Sequence, residues 1–213
     1  MSRFPETHPD TPRLPFKLAT AAAVWLAVVA AVLVRMIAYS NVPGAAGMPP
    51  AEWPAESRLP RPAGQPMLVL FAHPRCPCTR ASLGELERLM AQAQGRLVAQ
   101  VLFLKLAGTG ENWARTDLWR TAAAIPGVVV AQDDDGVEAR LFHSETSGDT
   151  LLYDADGHRI FHGGITLSRG HAGDNPGRSA IAALLDEPAA NAVSTPVFGC
   201  SLFAKNCRKG DAP

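Results

Sequence analysis

Two of the four cysteines stand one residue apart in the stretch FAHPRCPCTRASLGEL, at Cys76 and Cys78, with Pro77 between them. A thiolate at such a site can attack a disulfide sulfur, and a second thiol close by can resolve the mixed disulfide that results. Closing Cys76 onto Cys78 would make a ring of about 11 atoms, which bends the intervening backbone and makes the bond easier to reduce. Pro77 fixes one φ within that ring. Other chemistries stay open. Soft thiolates select copper(I), with histidines as further ligands. The pair could also be half of a zinc site or two inert packing residues, although no second close pair with zinc-finger spacing occurs. Redox exchange is the reading the spacing favours, and copper is its rival.

The neighbouring segments predict how the pair is held. MLVLFA (67–72) is a short apolar run that suits a buried strand. Thr79 to Gln94 carries apolar residues at helical spacing, and Gly95 follows as a stop. The cysteines therefore lie between a strand and a helix, where free N–H groups and the positive dipole end favour an anion. Cys76 is expected to have a lowered pKa, with Arg75, Arg80 and His73 adding positive charge nearby. Downstream, 96–106 reads as a strand, 111–124 as a helix and 127–131 as a strand. Asp135 and Glu138 resemble a capping box for a helix at 137–142. TLLYDADGHRIFHGG is a strand, an Asp-Gly turn and a strand, hence a hairpin. A helix at 177–187 closes the domain. This order predicts an α/β fold with a mixed central sheet and helices on both faces.

The flanks divide the chain further. Residues 1–17 read as a cytoplasmic tail. Residues 18–39 contain a run of about 17 uncharged residues, near the lower limit for a membrane span. They read as an uncleaved anchor, in preference to a cleaved signal or a buried helix. Arg3, Arg13 and Lys17 precede the run, so the positive-inside rule keeps the N-terminus in the cytoplasm. The expected location is a bacterial inner membrane, single-pass, with the domain in the periplasm, where disulfides persist. Residues 40–66 are Pro-rich and read as an extended tether. The domain spans 67–187. The tail at 188–213 holds Cys200 and Cys207, which read as a structural disulfide, a second redox pair exchanging electrons with Cys76 and Cys78, or metal ligands. Lys+Arg and Asp+Glu are balanced at 20 each, with no basic stripe, so nucleic acid is not an expected partner. No phosphate-binding glycine loop or haem-attachment signature is present, so no organic cofactor is expected.

The order of elements, with cysteines between the first strand and the first helix, resembles the thioredoxin superfamily across roughly 67–187. The resemblance implies exchange with protein thiols or disulfides, with Cys76 attacking. Thioredoxins keep two residues between their cysteines. Here Thr79 takes the place of the second, and Cys78 is the resolving candidate. Asp149 stands where the family has a proline ahead of the hairpin strand. The loop after the last strand lies near the cysteines in such folds, which makes Arg169 and His171 candidates for substrate contact alongside His73 and Asp149. HPRCPCTRAS also resembles a bacterial group of membrane-anchored thioredoxin-like proteins, the RedB type. Peroxiredoxins have a threonine where this chain has His73. Copper-delivering Sco proteins share the anchor and the fold, but use three residues between cysteines and a histidine before the hairpin. The nearest histidine here is His143, giving Cys76, Cys78 and His143 as the copper alternative.

Overall fold

The computed structural model describes residues 16–187 and 192–203. They form two units, divided at residue 39. The first contains helix α1 (Phe16–Asn41), which has 26 residues, a mean hydropathy of 2.3 over its most apolar window and no buried residue. It is long and apolar enough to cross a membrane by length and composition.

The second unit is a mixed six-stranded sheet flanked by helices, the thioredoxin-like architecture the resemblance implied. Its elements are β1 (Met67–Ala72), α2 (Thr79–Ala93), β2 (Val98–Lys105), α3 (Asp117–Ala123), β3 (Val128–Asp134), α4 (Val137–Leu141), β4 (Asp149–Tyr153), β5 (Arg159–Gly164), α5 (Pro176–Asp186) and β6 (Val193–Ser194). The strand order is β3-β2-β1-β4-β5-β6. β1 runs parallel to β2 and antiparallel to β4. β1 is buried along its whole length, which explains its unbroken apolar run: a strand covered on both faces has no solvent side to mark with polar residues.

Alternate residues of β1 feed two cores. Leu68, Leu70 and Ala72 face α2, α3 and α5, against Leu83, Leu86, Leu118 and Ile181. Met67, Val69 and Phe71 face the other side, with Phe142, Tyr153 and Leu202. Two predicted elements changed extent. Residues 111–114 form turns, and α3 begins only after the extended Thr116, whose hydroxyl donates to Pro74 O at 3.0 Å instead of capping the helix. β3 runs on through Gln132, Asp133 and Asp134 because they pair with Phe103, Leu104 and Lys105. The α4 cap also differs from expectation. Asp133 accepts from Glu138 N and Ala139 N, each at 2.9 Å. Asp135 is in the left-handed region (φ 54°) and its carboxylate turns to Ala107 N. Glu138 accepts from Ser57 Oγ at 2.8 Å and Arg58 N at 3.0 Å.

Those last bonds show how the Pro-rich stretch lies. Prolines alone suggested a free tether, but residues 44–60 run along the domain. Trp53 stacks edge-on against Phe142 and Tyr153, with centroids 5.0 and 5.2 Å away. Tyr153 OH donates to Pro50 O at 3.1 Å, and Gln100 Nε2 to Pro60 O at 3.0 Å. Proline lacks an N–H but keeps a carbonyl, so such a segment can dock by accepting from side chains.

Candidate functional site

After β1 the chain turns through His73, Pro74 and Arg75. Cys76 N donates to His73 O at 3.1 Å, and Arg75 N to His73 Nδ1 at 3.2 Å. Thr79 N then donates to Cys76 O and Ala81 N to Cys78 O, each at 3.1 Å. Cys78 is the N-cap of α2, so Cys76 lies just before the helix and not on its first turn. The loop before β4 supports this turn. Ser147 Oγ accepts from His73 N at 2.8 Å and lies 2.8 Å from Thr79 Oγ1. Thr79 is thus a buried residue that ties the head of α2 to that loop.

A third sulfur completes the site. Cys200 Sγ lies 3.0 Å from Cys76 Sγ. The sulfurs of Cys76, Cys78 and Cys200 all lie within 4.8 Å of one another. Cys200 arrives on a C-terminal strap, residues 193–203. β6 pairs with β5. Thr195 N then donates to His162 O at 3.0 Å, Ser147 N to Cys200 O at 2.8 Å, and Leu202 N to Glu145 O at 2.8 Å. The side chains of Val197 and Leu202 are buried. Cys76 is only 1% exposed beneath this cover.

Of the three thiols, Cys76 is the one whose surroundings favour the anion. Cys76 is held far below the ordinary thiol range, first by Cys200, then by Cys78 and Thr79, against the opposing effect of burial. With Cys76 as the thiolate, the other two S–H groups are its donors. Cys200 is pushed far up by those bonds to Cys76 and Cys78 and by burial. For Cys78, the bond to Cys200 favours its anion, but the bond to Cys76, burial and the Cys76 charge together raise its pKa. A thiolate with two thiol donors is the charge state from which a nucleophilic sulfur and resolving sulfurs operate.

The other expected residues fall into two groups. Arg169 joins the site: its guanidinium donates to Gly199 O, beside Cys200, and to Val42 O at 3.2 Å. It also favours the Cys78 anion. His73 is buried next to Cys76, edge-on to Trp113 with centroids 5.5 Å apart. Burial, first, holds its pKa below 6.5. Arg75, by contrast, stacks over Trp113 at 5.3 Å, and Arg80 pairs with Asp117. The largest effects that lower Cys76 come from the neighbouring sulfurs of Cys200 and Cys78. Asp149 is buried on β4, with its carboxylate 3.3 Å from His162 Nε2. His162 is thus buried beside Asp149. His171 is exposed. His143 is exposed too, bonded through Nδ1 to Met48 O at 2.8 Å, and stands outside the sulfur cluster. Cys207, the other half of the expected tail pair, lies outside the described residues.

The sequence reading missed Ser147 and the polar knot around Glu85. That carboxylate is 0% exposed. It accepts from Gly173 N at 2.8 Å and Asn175 Nδ2 at 3.2 Å, and forms ion pairs with Arg178, at 2.8 Å, and with Arg88. It pins the loop that follows β5, and so the loop carrying Arg169, to α2. A glutamate at a position with leucine neighbours in a helical pattern was the available hint.

Similarity to two solved structures, the first two of the three given next, supports the fold. A hypothetical protein from Sinorhizobium meliloti is 18% identical, with a TM-score of 0.55 over 76% of this chain and 96% of that one. An uncharacterized conserved protein from Geobacillus kaustophilus is 17% identical, with a TM-score of 0.55 over 81% and 95%. A secreted Mycobacterium tuberculosis disulfide oxidoreductase homologous to Escherichia coli DsbE is 15% identical, with a TM-score of 0.43 over 58% and 82%. No protein-family model matches the chain, and no curated protein does.

Proposed function

We propose that this protein is a thiol–disulfide oxidoreductase, anchored by α1 and acting on protein thiols or disulfides outside the cytoplasm. One observation carries the reading: three sulfurs lie within 4.8 Å of one another at the head of α2, a setting that lowers the Cys76 pKa. A structural cysteine needs neither a lowered pKa nor two thiol neighbours. Cys76 attacks, and a neighbouring thiol resolves. Arg3 and Arg13 ahead of α1, with Lys17 in its first turn, favour an N-terminus in the cytoplasm and a domain in the periplasm, a compartment in which a disulfide couple can turn over. The expected partner is a protein dithiol or disulfide. The chemistry requires no organic cofactor.

The same cluster favours a second reading. Three soft sulfur donors suit copper(I), and the ligands would be Cys76, Cys78 and Cys200, with His143 left out. Trapping the thiols with a mass tag across graded redox buffers, beside a copper(I) titration, separates the two. Reversible two-electron cycling with weak copper binding supports exchange. Tight one-to-one copper binding that blocks the tag, with no cycling, supports metal delivery.

A further inference from the structure

We infer that Cys200, and not Cys78, is the thiol that resolves Cys76, so that the oxidised protein carries a Cys76–Cys200 disulfide and its C-terminal strap is part of the redox couple. This rests on the exchange reading above and names the second sulfur of the couple.

The two candidates differ in what oxidation demands of the backbone. Cys76 and Cys78 are two apart in a helical turn, where Thr79 N and Ala81 N are already bonded to their carbonyls. Their sulfurs lie within 4.8 Å of each other, but only one residue separates them. A bond between them would have to close a ring of about 11 atoms and bend the backbone that leads into α2. Cys200 meets Cys76 from a different segment. Their sulfurs stand 3.0 Å apart, so a bond needs an approach of only about 1 Å. Neither segment has to give up its hydrogen bonds.

The strap is built to present Cys200 there. Cys200 O and the Leu202 N–H pair with Ser147 and Glu145, and Ser201 bridges Thr146 in antiparallel fashion. Arg169 grips Gly199 O. At Gly199 a Cβ would lie 1.8 Å from Ser147 O, so the residue before Cys200 fits only as glycine. The strap therefore lies along the loop before β4 as an added short strand, and it brings a cysteine to the nucleophile. An incoming protein disulfide must displace it to reach Cys76, which is otherwise 1% exposed.

The chemistry balances as follows. The Cys76 thiolate attacks one sulfur of a substrate disulfide; a Cys76–substrate bond forms, the substrate S–S bond breaks and one substrate thiolate leaves. Cys200 then loses its proton to solvent or to that thiolate and attacks Cys76 Sγ. The second substrate thiolate leaves. Two electrons have passed from two protein thiols to the substrate disulfide, and the reverse sequence donates a disulfide.

The test uses the full chain in detergent, oxidised with glutathione disulfide, with unreduced peptides mapped by mass spectrometry. The result expected is a Cys76–Cys200 cross-link in the wild-type protein. Cys78→Ser should keep the reversible two-electron couple. Cys200→Ser should accumulate a Cys76–glutathione adduct on the order of ten-fold above wild type, because its resolving thiol is gone. A Cys76–Cys78 or Cys200–Cys207 cross-link in the wild type overturns the inference while leaving the exchange reading in place. The wild-type map decides this even if a variant folds poorly. A protein in which Cys76 is not oxidised at all overturns both.

Discussion

Replacing Gly199 with alanine perturbs the site without touching a sulfur. The new methyl would lie 1.8 Å from the Ser147 carbonyl oxygen, whereas real Cβ contacts are essentially never under 3.0 Å. That oxygen is backbone, so no rotamer change relieves the clash, and the strap must move off by about 1 Å or more. The bond from Ser147 N to Cys200 O, at 2.8 Å, is the first to stretch. The contact between Cys200 and Cys76, at 3.0 Å, goes with it. That contact is the largest contributor to the lowered Cys76 pKa. A hydrogen bond to a charged group contributes about 1.5–3 kcal/mol, which at 1.36 kcal/mol per unit corresponds to a rise of about one to two pKa units. Water entering the opened site replaces part of this, so about one unit is expected. The same movement uncovers a buried sulfur, and labelling of Cys76 by a small alkylating reagent should speed up on the order of ten-fold. Ultraviolet thiolate absorbance against pH reads the first effect, and timed labelling reads the second. An unchanged midpoint and an unchanged labelling rate in a folded variant would refute the strap's role in both.

Further predictions follow from the same contacts. Thr79→Val keeps the shape of a buried residue but removes the hydroxyl shared with Ser147; it should cost about 1 kcal/mol in a urea titration and raise the Cys76 pKa. Glu85→Ala removes the buried carboxylate shared by Arg178 and two loop donors, leaving Arg178 only the exposed Asp174, and should cost about 3 kcal/mol, with faster amide exchange at residues 169–175. Trp53→Ala removes the aromatic anchor of the 44–60 segment and should cost about 2 kcal/mol, with new proteolytic cuts confined to that segment. His73 has a folded pKa below that of the unfolded chain because it is buried. The unfolded state therefore takes up the proton first, and stability falls as pH drops below about 6.5. His73→Gln should flatten that limb when urea midpoints are compared at about pH 7 and about pH 5.

Much of the fold was legible because its signals are local. The apolar run of β1, the helical spacing of α2 and the Asp-Gly hairpin each name an element by pattern alone, and their order implies the mixed sheet. The Cys76–Cys78 pair announced the site by spacing. What the sequence hid was contact across long separations. Cys200 is 124 residues from Cys76 and lies in a stretch with no periodicity, where its nearest cysteine in sequence, Cys207, was the natural partner to suppose. Ser147 supports the site through one hydroxyl, which no pattern marks. The 44–60 segment looked free because proline content reports stiffness and says nothing about docking by carbonyls. Arg75 and Arg80 looked like partners for the thiolate because charge adjacency is readable in a sequence, but Trp113 and Asp117 claim them in the fold.

The most direct test of the central claim is a redox titration of the metal-free full chain, with thiols trapped by a mass tag at each potential. The account predicts one reversible two-electron transition that includes Cys76 and disappears in Cys76→Ser. Thiols that stay reduced across the whole range, or a transition unaffected by Cys76→Ser, would contradict it.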